Sequence, residues 1–525
     1  MGHLEFSIYK LKFTLKNKLV VWLLAFLLVR FVLVGQDSPP SQITATTPYN
    51  VNNHGLDRLE AQVKNDLLKI NIPPLTWVIN SNCDNSDVLD VAIIGGGMAG
   101  MTASFALIKE GISNIKIFDE NSQDQEGPWI KYARMNVLRS GKRYMGPALG
   151  IPSLTFWSWY EAQYGKDGWE NLNVCPTKLW HDYLCWFRRV LKLPIENNMN
   201  LVKLSPSKNS LELTFNYEGH PIVVYARKVV LATGREGSGG CEIPYYLKGI
   251  AKQFYAHTGE IIDPKFFYNK RIAIIGAGSS AFDAVGVALE NGAVSVEMIV
   301  RRSAISQINK FGQFSYPGLE NGFYFLPDQM RCLFFTEVFK NGGIDPSKAA
   351  VERIKDFENL HIHYDTHVQH VVDNGNAAII QTNRKTFQVD FIILATGYGI
   401  DLSKRSELDT IRHAILLWEN RAPKELLEEV PMLGCFPYLG PNFEFLESEP
   451  NIAPFLKNIY CFNYGASISH ALLSSDIPGI SLGATRLAKG IAADFFLNES
   501  MLYFEKIRNW KTPDFNSNDY HPLKQ

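Results

Sequence analysis

Two glycine-rich turns carry the plainest chemistry in this sequence. In VLDVAIIGGGMAGMTASFALIKEGISNIKIFDE, an apolar run from Val88 to Ile94 leads into Gly95, Gly97 and Gly100, then a helical stretch, then IKIF and Asp119. With that spacing the first glycine permits a tight turn. The second lets backbone approach a pyrophosphate at a helix N-terminus, and the third lets helix and strand pack closely. Asp119, 24 residues after Gly95, stands where a carboxylate accepts hydrogen bonds from an adenosine ribose. RIAIIGAGSSAFDAVGVALENGAVSVEMIVRRS repeats the design at Gly276, Gly278 and Ala281, but the position of the acid is taken by Arg301, followed by Arg302. Guanidinium groups suit a 2′-phosphate, and no carboxylate is there to repel it. One unit therefore asks for a free ribose and the other for a phosphorylated one, which pairs FAD with the first turn and NADPH with the second.

Such turns need strand, turn, helix and strand in register, and the chain supplies that order twice. The expected fold is α/β, with two Rossmann-like dinucleotide-binding domains behind an N-terminal hydrophobic anchor helix. LELTFNY and PIVVYARKVVLAT read as meander strands returning to the first sheet. The expected divisions are an anchor or signal-like segment at 1–36, a linker with an amphipathic helix at 37–85, and a first part of the FAD domain at 86–245. An inserted NADPH domain at 246–388, a second part of the FAD domain at 389–500 and a solvated tail at 501–525 follow.

Composition narrows the partners. The 525 residues carry 52 Lys and Arg against 53 Asp and Glu, a net charge of −1, so no basic field collects nucleic acid. Seven cysteines without a CxxC exclude a dithiol reductase and a paired-cysteine zinc site. Leu19–Val34 is apolar except for Arg30 and follows four lysines. It predicts an uncleaved membrane anchor and membrane association through residues 19–35. The lysine flank predicts a translocated catalytic domain, while NADPH supply predicts a cytoplasmic one; the cofactor argument is preferred.

Further motifs resemble the two-dinucleotide flavoprotein monooxygenases of the flavin-containing and N-hydroxylating type. EGPW, ending at Trp129, resembles the family's turn along the flavin, and VVLATGREG, with Thr233 and Gly234, its strand turn closing the first part of the FAD domain. DFIILATGYGID, with Thr396 and Gly397, resembles the segment returning from the NADPH domain. YCFNYGASISHALLSSDIPGISLGATRLAKGIAADFF resembles the C-terminal segment whose helix start, at Ile477, Pro478 and Gly479, faces the isoalloxazine. The stretch from Glu126 to Gly165 is similar to a bacterial branch of FAD/NAD(P)-binding oxidoreductases linked to siderophore-type N-hydroxylases and, in one case, to urate hydroxylation.

Three departures limit the likeness. The Baeyer–Villiger fingerprint is absent around His257, where Gln253 and Ile261 stand at the flanking positions. In LRSGKRYM, Arg139 replaces the family's asparagine near the flavin, while Lys142 and Met145 match. A cation there would contact NADP or a developing peroxide charge. The N-hydroxylase pattern ending in ATGY is met, but its later His/Pro is Ser403.

The resemblance implies hydride transfer from NADPH to flavin, capture of O2 as a C4a-hydroperoxide, and oxygen transfer to a small nitrogen-containing or heteroaromatic substrate. The alternative is an NAD(P)H dehydrogenase or oxidase passing electrons to a quinone or other acceptor. Candidate catalytic residues are Arg139, Asn309 on the NADPH side with Lys310, for which simple loop polarity is an equal reading, and His470 beside the ring, for which a satisfied core histidine is an equal reading. No metal is expected: His361 and His363 read as structural, and Trp157, Trp159 and Tyr160 as core or wall. The aromatic 322–336 stretch reads as a pocket lining or a membrane contact.

Overall fold

The structure, a computed structural model, describes residues 53–79, 88–340 and 344–515. Its first sheet runs in the order Ile195–Glu196, Ile115–Phe118, Leu89–Ile94, His220–Leu231, Leu211–Tyr217, Asn200–Pro206. The first four strands are parallel, the last three form an antiparallel meander, and Ile459–Cys461 joins parallel to His220–Leu231. All six residues of Leu89–Ile94 are buried, as a parallel strand covered on both faces requires. The second sheet is wholly parallel, in the order Leu360–His363, Ser295–Ile299, Arg271–Ile275, Phe391–Leu394, Tyr255–His257. A small antiparallel sheet, Val368–Asp373, Ala378–Thr382 and Thr386–Val389, follows Leu360–His363 in the chain.

The expected N-terminal membrane anchor is not supported. Among the described residues no helix is long and apolar enough to cross a membrane. Residues 19–35, on which the anchor, the membrane association and the membrane location rested, lie outside the described residues, as do the turn-rich residues 80–86. What stands is an α/β fold with Rossmann-type dinucleotide-binding regions.

The helix Asn53–Lys69 buries Leu59 and Val63, while Leu68, half a turn round from Leu59, is exposed. Gly55 lets it press on the helix Phe156–Asn171: a Cβ there would come within 1.8 Å of the Ala162 carbonyl oxygen. Phe156–Asn171 and Thr177–Leu191 bring Trp159, Tyr160, Trp169 and Tyr183 into one buried aromatic cluster, with Trp157 stacked outside on Trp169 at 4.7 Å. Trp159 and Tyr160 are core, and Trp157 is a partly exposed cover on it. The 322–336 stretch forms part of another apolar cluster, in which Phe323, Cys332 and Phe335 pack with Trp418 and Phe436. Beyond residue 500 the expected solvated tail begins as a helix, Ser500–Arg508, tied down by the Tyr503 hydroxyl, which donates to Trp77 O at 3.2 Å.

The two glycine turns differ at their third position. A Cβ on Gly100 would lie 1.8 Å from Gly95 O, so the helix Met98–Lys109 touches its own turn. Ala281 already carries a Cβ and is fully buried, so the helix Ser279–Glu290 accommodates a methyl at that point. Gly100→Ala should therefore destabilise the protein by roughly 3 kcal/mol, while Ala281→Gly should cost about 1 kcal/mol. Equal shifts of the two in urea denaturation would contradict this packing account.

His257, ending the strand Tyr255–His257, is fully buried, and burial pushes its imidazole pKa down to about 4. Its Nδ1 accepts from the Gly259 N–H at 3.0 Å, which suits the neutral ring. A lowered histidine pKa gives stability that is complete above pH 6.5 and lost as pH falls toward 4. The loss should total roughly 3 kcal/mol. His257→Gln should lose less stability than the parent between pH 7 and about pH 4.5 in denaturant titrations. The same loss in both proteins would assign the acid sensitivity elsewhere.

Candidate active site

Both turns open onto one cleft of about 1270 Å³ at the carboxyl ends of the two parallel sheets. The two turns make matching contacts. Gly95 has φ +102°, donates its N–H to Phe118 O at 2.8 Å, and would place a Cβ 2.5 Å from Ala232 O. Gly276 has φ +135°, donates to Ile299 O at 3.2 Å, and would place a Cβ 2.4 Å from Ala395 O. In each case the neighbouring strand ends in Ala-Thr-Gly, and its alanine N–H closes the ladder, to Ile94 O at 2.8 Å and to Ile275 O at 2.9 Å.

The strand-end charges reach the same cleft. Asp119 lines it and is fixed from behind, its carboxylate accepting the Gly96 N–H at 2.6 Å and the Asn121 N–H at 2.8 Å. Arg301 and Arg302 follow Ser295–Ile299 and line the other half. Trp129, Thr233, Gly234, Thr396 and Gly397 also border the cleft, with Gly97 and Gly278 at the helix starts. Thr233 Oγ1 accepts from Asn463 Nδ2 at 3.0 Å, and the Thr396 hydroxyl donates to Glu242 O. Gly234 and Gly397 have positive φ and no atom within 4 Å of an added Cβ, so bare backbone faces the open space.

Other predicted residues lie elsewhere. Gly100 and Ala281 sit behind the turns. Asn309 does not line the cleft; it is exposed and caps the short turn Lys310–Phe314, accepting from the Gly312 N–H at 3.3 Å. His470 is fully buried and away from the cleft lining, between Phe443 at 3.9 Å and Tyr324 at 4.8 Å. Its Nε2 lies 2.9 Å from Gly440 O and its Nδ1 3.3 Å from Arg486, and burial holds its pKa well down. That is the satisfied core histidine, and an acid/base role at the ring has no geometric support. Pro478 and Gly479 stand one step behind the wall, which is formed by Ser475, Asp476 and Ile477 ahead of the helix Ile480–Asn498. His363, read as lacking a carboxylate, has one: Glu297 on the adjacent strand at 2.6 Å.

Arg139 lines the cleft with its Nη1 buried and unpartnered among the described residues. Burial lowers its pKa, opposed by Asp345, Asp283 and Asp476. Sequence reasoning passed over Asp283, Arg235, Glu236 and Tyr464, which also line the cleft. Burial raises Asp283 to about 6, against the pull of Arg353 and Arg139. The adjacency of Arg235 and Glu236 to the Thr233-Gly234 turn was the available signal.

The walls suit dinucleotides. Gly97 and Gly278 present bare backbone at the helix starts: an added Cβ would meet its nearest atom at 3.6 Å at Gly97, and at Gly278 it would crowd the Ile344 carbonyl oxygen at 3.1 Å. Four buried polar atoms on this one wall, of Trp129, Arg139, Glu236 and Ser475, have no hydrogen-bond partner among the described residues, a concentration that an occupied cleft would relieve.

Comparison with known proteins agrees. Residues 171–400 match the L-lysine 6-monooxygenase/L-ornithine 5-monooxygenase family model, and residues 92–236 an FAD-NAD(P)-binding model. FAD-dependent urate hydroxylase of Xanthomonas campestris pv. campestris is 33% identical over 465 residues, which cover 88% of this chain and 97% of that protein. Flavin-containing monooxygenase 5 of Cavia porcellus is 23% identical, over 67% of this chain and 69% of its own. Ornithine hydroxylase from Pseudomonas aeruginosa shares the fold with a TM-score of 0.61 at 15% identity, covering 77% of this chain and 99% of that one. The protein is an FAD-dependent oxidoreductase that uses NADPH. It belongs to the family of two-domain FAD- and NAD(P)-binding flavoprotein monooxygenases that includes FAD-dependent urate hydroxylase and is related to the ornithine and lysine N-hydroxylases.

Proposed function

We propose that this monooxygenase hydroxylates a small, planar nitrogen heterocycle of the urate type, with NADPH and O2 as co-substrates. The observation that carries this reading is the likeness to the urate hydroxylase, which runs through both glycine turns and nearly the whole of that protein. Ornithine, lysine and cadaverine, substrates of the N-hydroxylating relatives, are the competing choice.

FAD would be held by Gly95 and Gly97 at its pyrophosphate and by Asp119 at its ribose, with Trp129, Thr233 and Gly234 along its length. NADPH would be held by Gly276 and Gly278, with Arg301 and Arg302 on its 2′-phosphate. Thr396 and Gly397 would border the flavin edge where the chain re-enters the FAD domain, and Arg139 would stand beside it. The FAD domain is read as discontinuous, 86–245 and 389–500, with the NADPH domain at 246–388 between. When bound, the flavin accepts reducing equivalents from NADPH and activates O2 for transfer to the substrate. The chain's own contribution is to align the two dinucleotides, to place a cation where negative charge develops, and to keep water from the reacting face. Phe311, Phe339 and Met432 give the cleft an apolar wall suited to that last task.

Purified protein should be yellow with FAD and should oxidise NADPH faster when urate is added under air, with product formed in proportion. Stimulation by ornithine, lysine or cadaverine in place of urate would overturn the substrate reading. Changing Arg301 and Arg302 to alanine should raise the KM for NADPH about tenfold or more, with FAD content unchanged. An unaltered preference for NADPH over NADH would refute their assignment.

A further inference from the structure

Arg139 and Arg235 enter the cleft from two separate segments, one before and one after the first sheet's meander. Neither makes an ion pair or hydrogen bond among the described residues, and Nη1 of Arg139 is buried as well. The charge of Arg235 acts against that of Arg139 in the same direction as burial, while Asp345, Asp283 and Asp476 act more strongly the other way. Two guanidiniums without an ion pair that line one partly desolvated cleft favour an anionic occupant. The buried carboxylate of Asp476 responds to both, Arg235 more strongly, and answers one of the two charges. It is already engaged by the Ile477 N–H at 2.9 Å.

The surroundings indicate what kind of anion would fit. Arg235 Cζ lies 5.1 Å from the centroid of Tyr464, a ring packed edge-on against Phe436 and forming part of the same wall as Phe311, Phe339 and Met432. An aromatic face beside a planar guanidinium fork suits a flat ring whose edge presents two neighbouring acceptors. On the proposed reading the dinucleotide phosphates would have other partners, in the backbone of the two glycine turns and in Arg301 and Arg302, which would leave this pair surplus to them.

We propose that Arg235, with Arg139, determines substrate specificity by receiving the anionic edge of a deprotonated nitrogen heterocycle, a ring nitrogen and the adjacent carbonyl oxygen, laid against Tyr464. This rests on the proposed function and adds the residues that select the charged form of the ring. A diamine without a carboxylate, such as cadaverine, would bring only cations to the same place and meet repulsion.

The test uses the FAD-loaded enzyme. Arg235→Ala should raise the KM for urate by roughly 100-fold while FAD content and the KM for NADPH stay as in the parent, and Arg235→Lys should recover only part, because an ammonium lacks the fork. Arg139→Lys should also raise the KM for urate. In the same assays, a neutral purine should inhibit parent and Arg235→Ala equally, and an anionic purine should inhibit the variant less. If the parent turns over urate and Arg235→Ala has an unchanged urate KM, the pair does not bind substrate. A change confined to the KM for NADPH or to FAD content would assign the pair to dinucleotide phosphate and overturn the proposal likewise. A parent enzyme indifferent to urate overturns the substrate reading itself, and the pair loses its ligand with it.

Discussion

Two backbone carbonyls govern the rest of the molecule. Ala232 O and Ala395 O each stand where a side chain on the first glycine of a turn would have to go, 2.5 Å and 2.4 Å from that absent Cβ. Each turn is therefore wedged against the end of the adjacent strand, and only glycine, at positive φ, satisfies both the conformation and the space. The wedge sets where each helix begins and so where its N-terminal N–H groups point. Because both sheets use it, their carboxyl ends open toward a common space.

Cross-ties keep that space in shape. Arg134, from the segment after the first turn, donates to Thr258 O at 2.6 Å and Glu260 O at 2.9 Å, beside the edge strand of the second sheet. Arg353 in turn donates to Arg134 O at 2.8 Å and pairs with Glu290 at the end of the helix Ser279–Glu290. Burial lowers the pKa of Arg134, but charge-assisted bonds to three carbonyls, those of Tyr132, Thr258 and Glu260, engage its guanidinium. A second strap is the two-stranded ribbon Gly239–Cys241 with Tyr398–Ile400, whose strands follow the two Ala-Thr-Gly ends. Relative motion of the two sheets would have to break these bonds together.

Much of this was legible in the sequence because it is local. The glycine spacing, the apolar strands and the charges at their ends lie within about thirty residues of each other, and the physics that places them acts over the same distance. The long-range features were not legible. His470 follows a motif that resembles a flavin-facing segment, yet its partners Tyr324, Gly440, Phe443 and Arg486 come from four separate stretches and seal it in the core. Asn309 looked like a cofactor residue and proved to be a local cap, an alternative that side-chain polarity alone could not separate. The apolar run at 19–35 and its lysine flank pointed to a membrane, and no described helix is long and apolar enough to cross one. Arg235 was overlooked because its meaning depends on Arg139 and Tyr464, about 100 and 230 residues away.

The return strand Ile459–Cys461 pairs parallel with His220–Leu231, and Asn463 just beyond it reaches back 230 residues to hold the Thr233 hydroxyl. During synthesis at roughly 5 to 20 residues per second, the Thr233-Gly234 turn would thus wait about 10 to 50 s for the group that fixes it. Until then the nascent chain has its first glycine turn but an unfinished wall. Tight retention of the flavin becomes a late event in the ribosome's timetable, tied to completion of the C-terminal third rather than to emergence of the motif that first announces it.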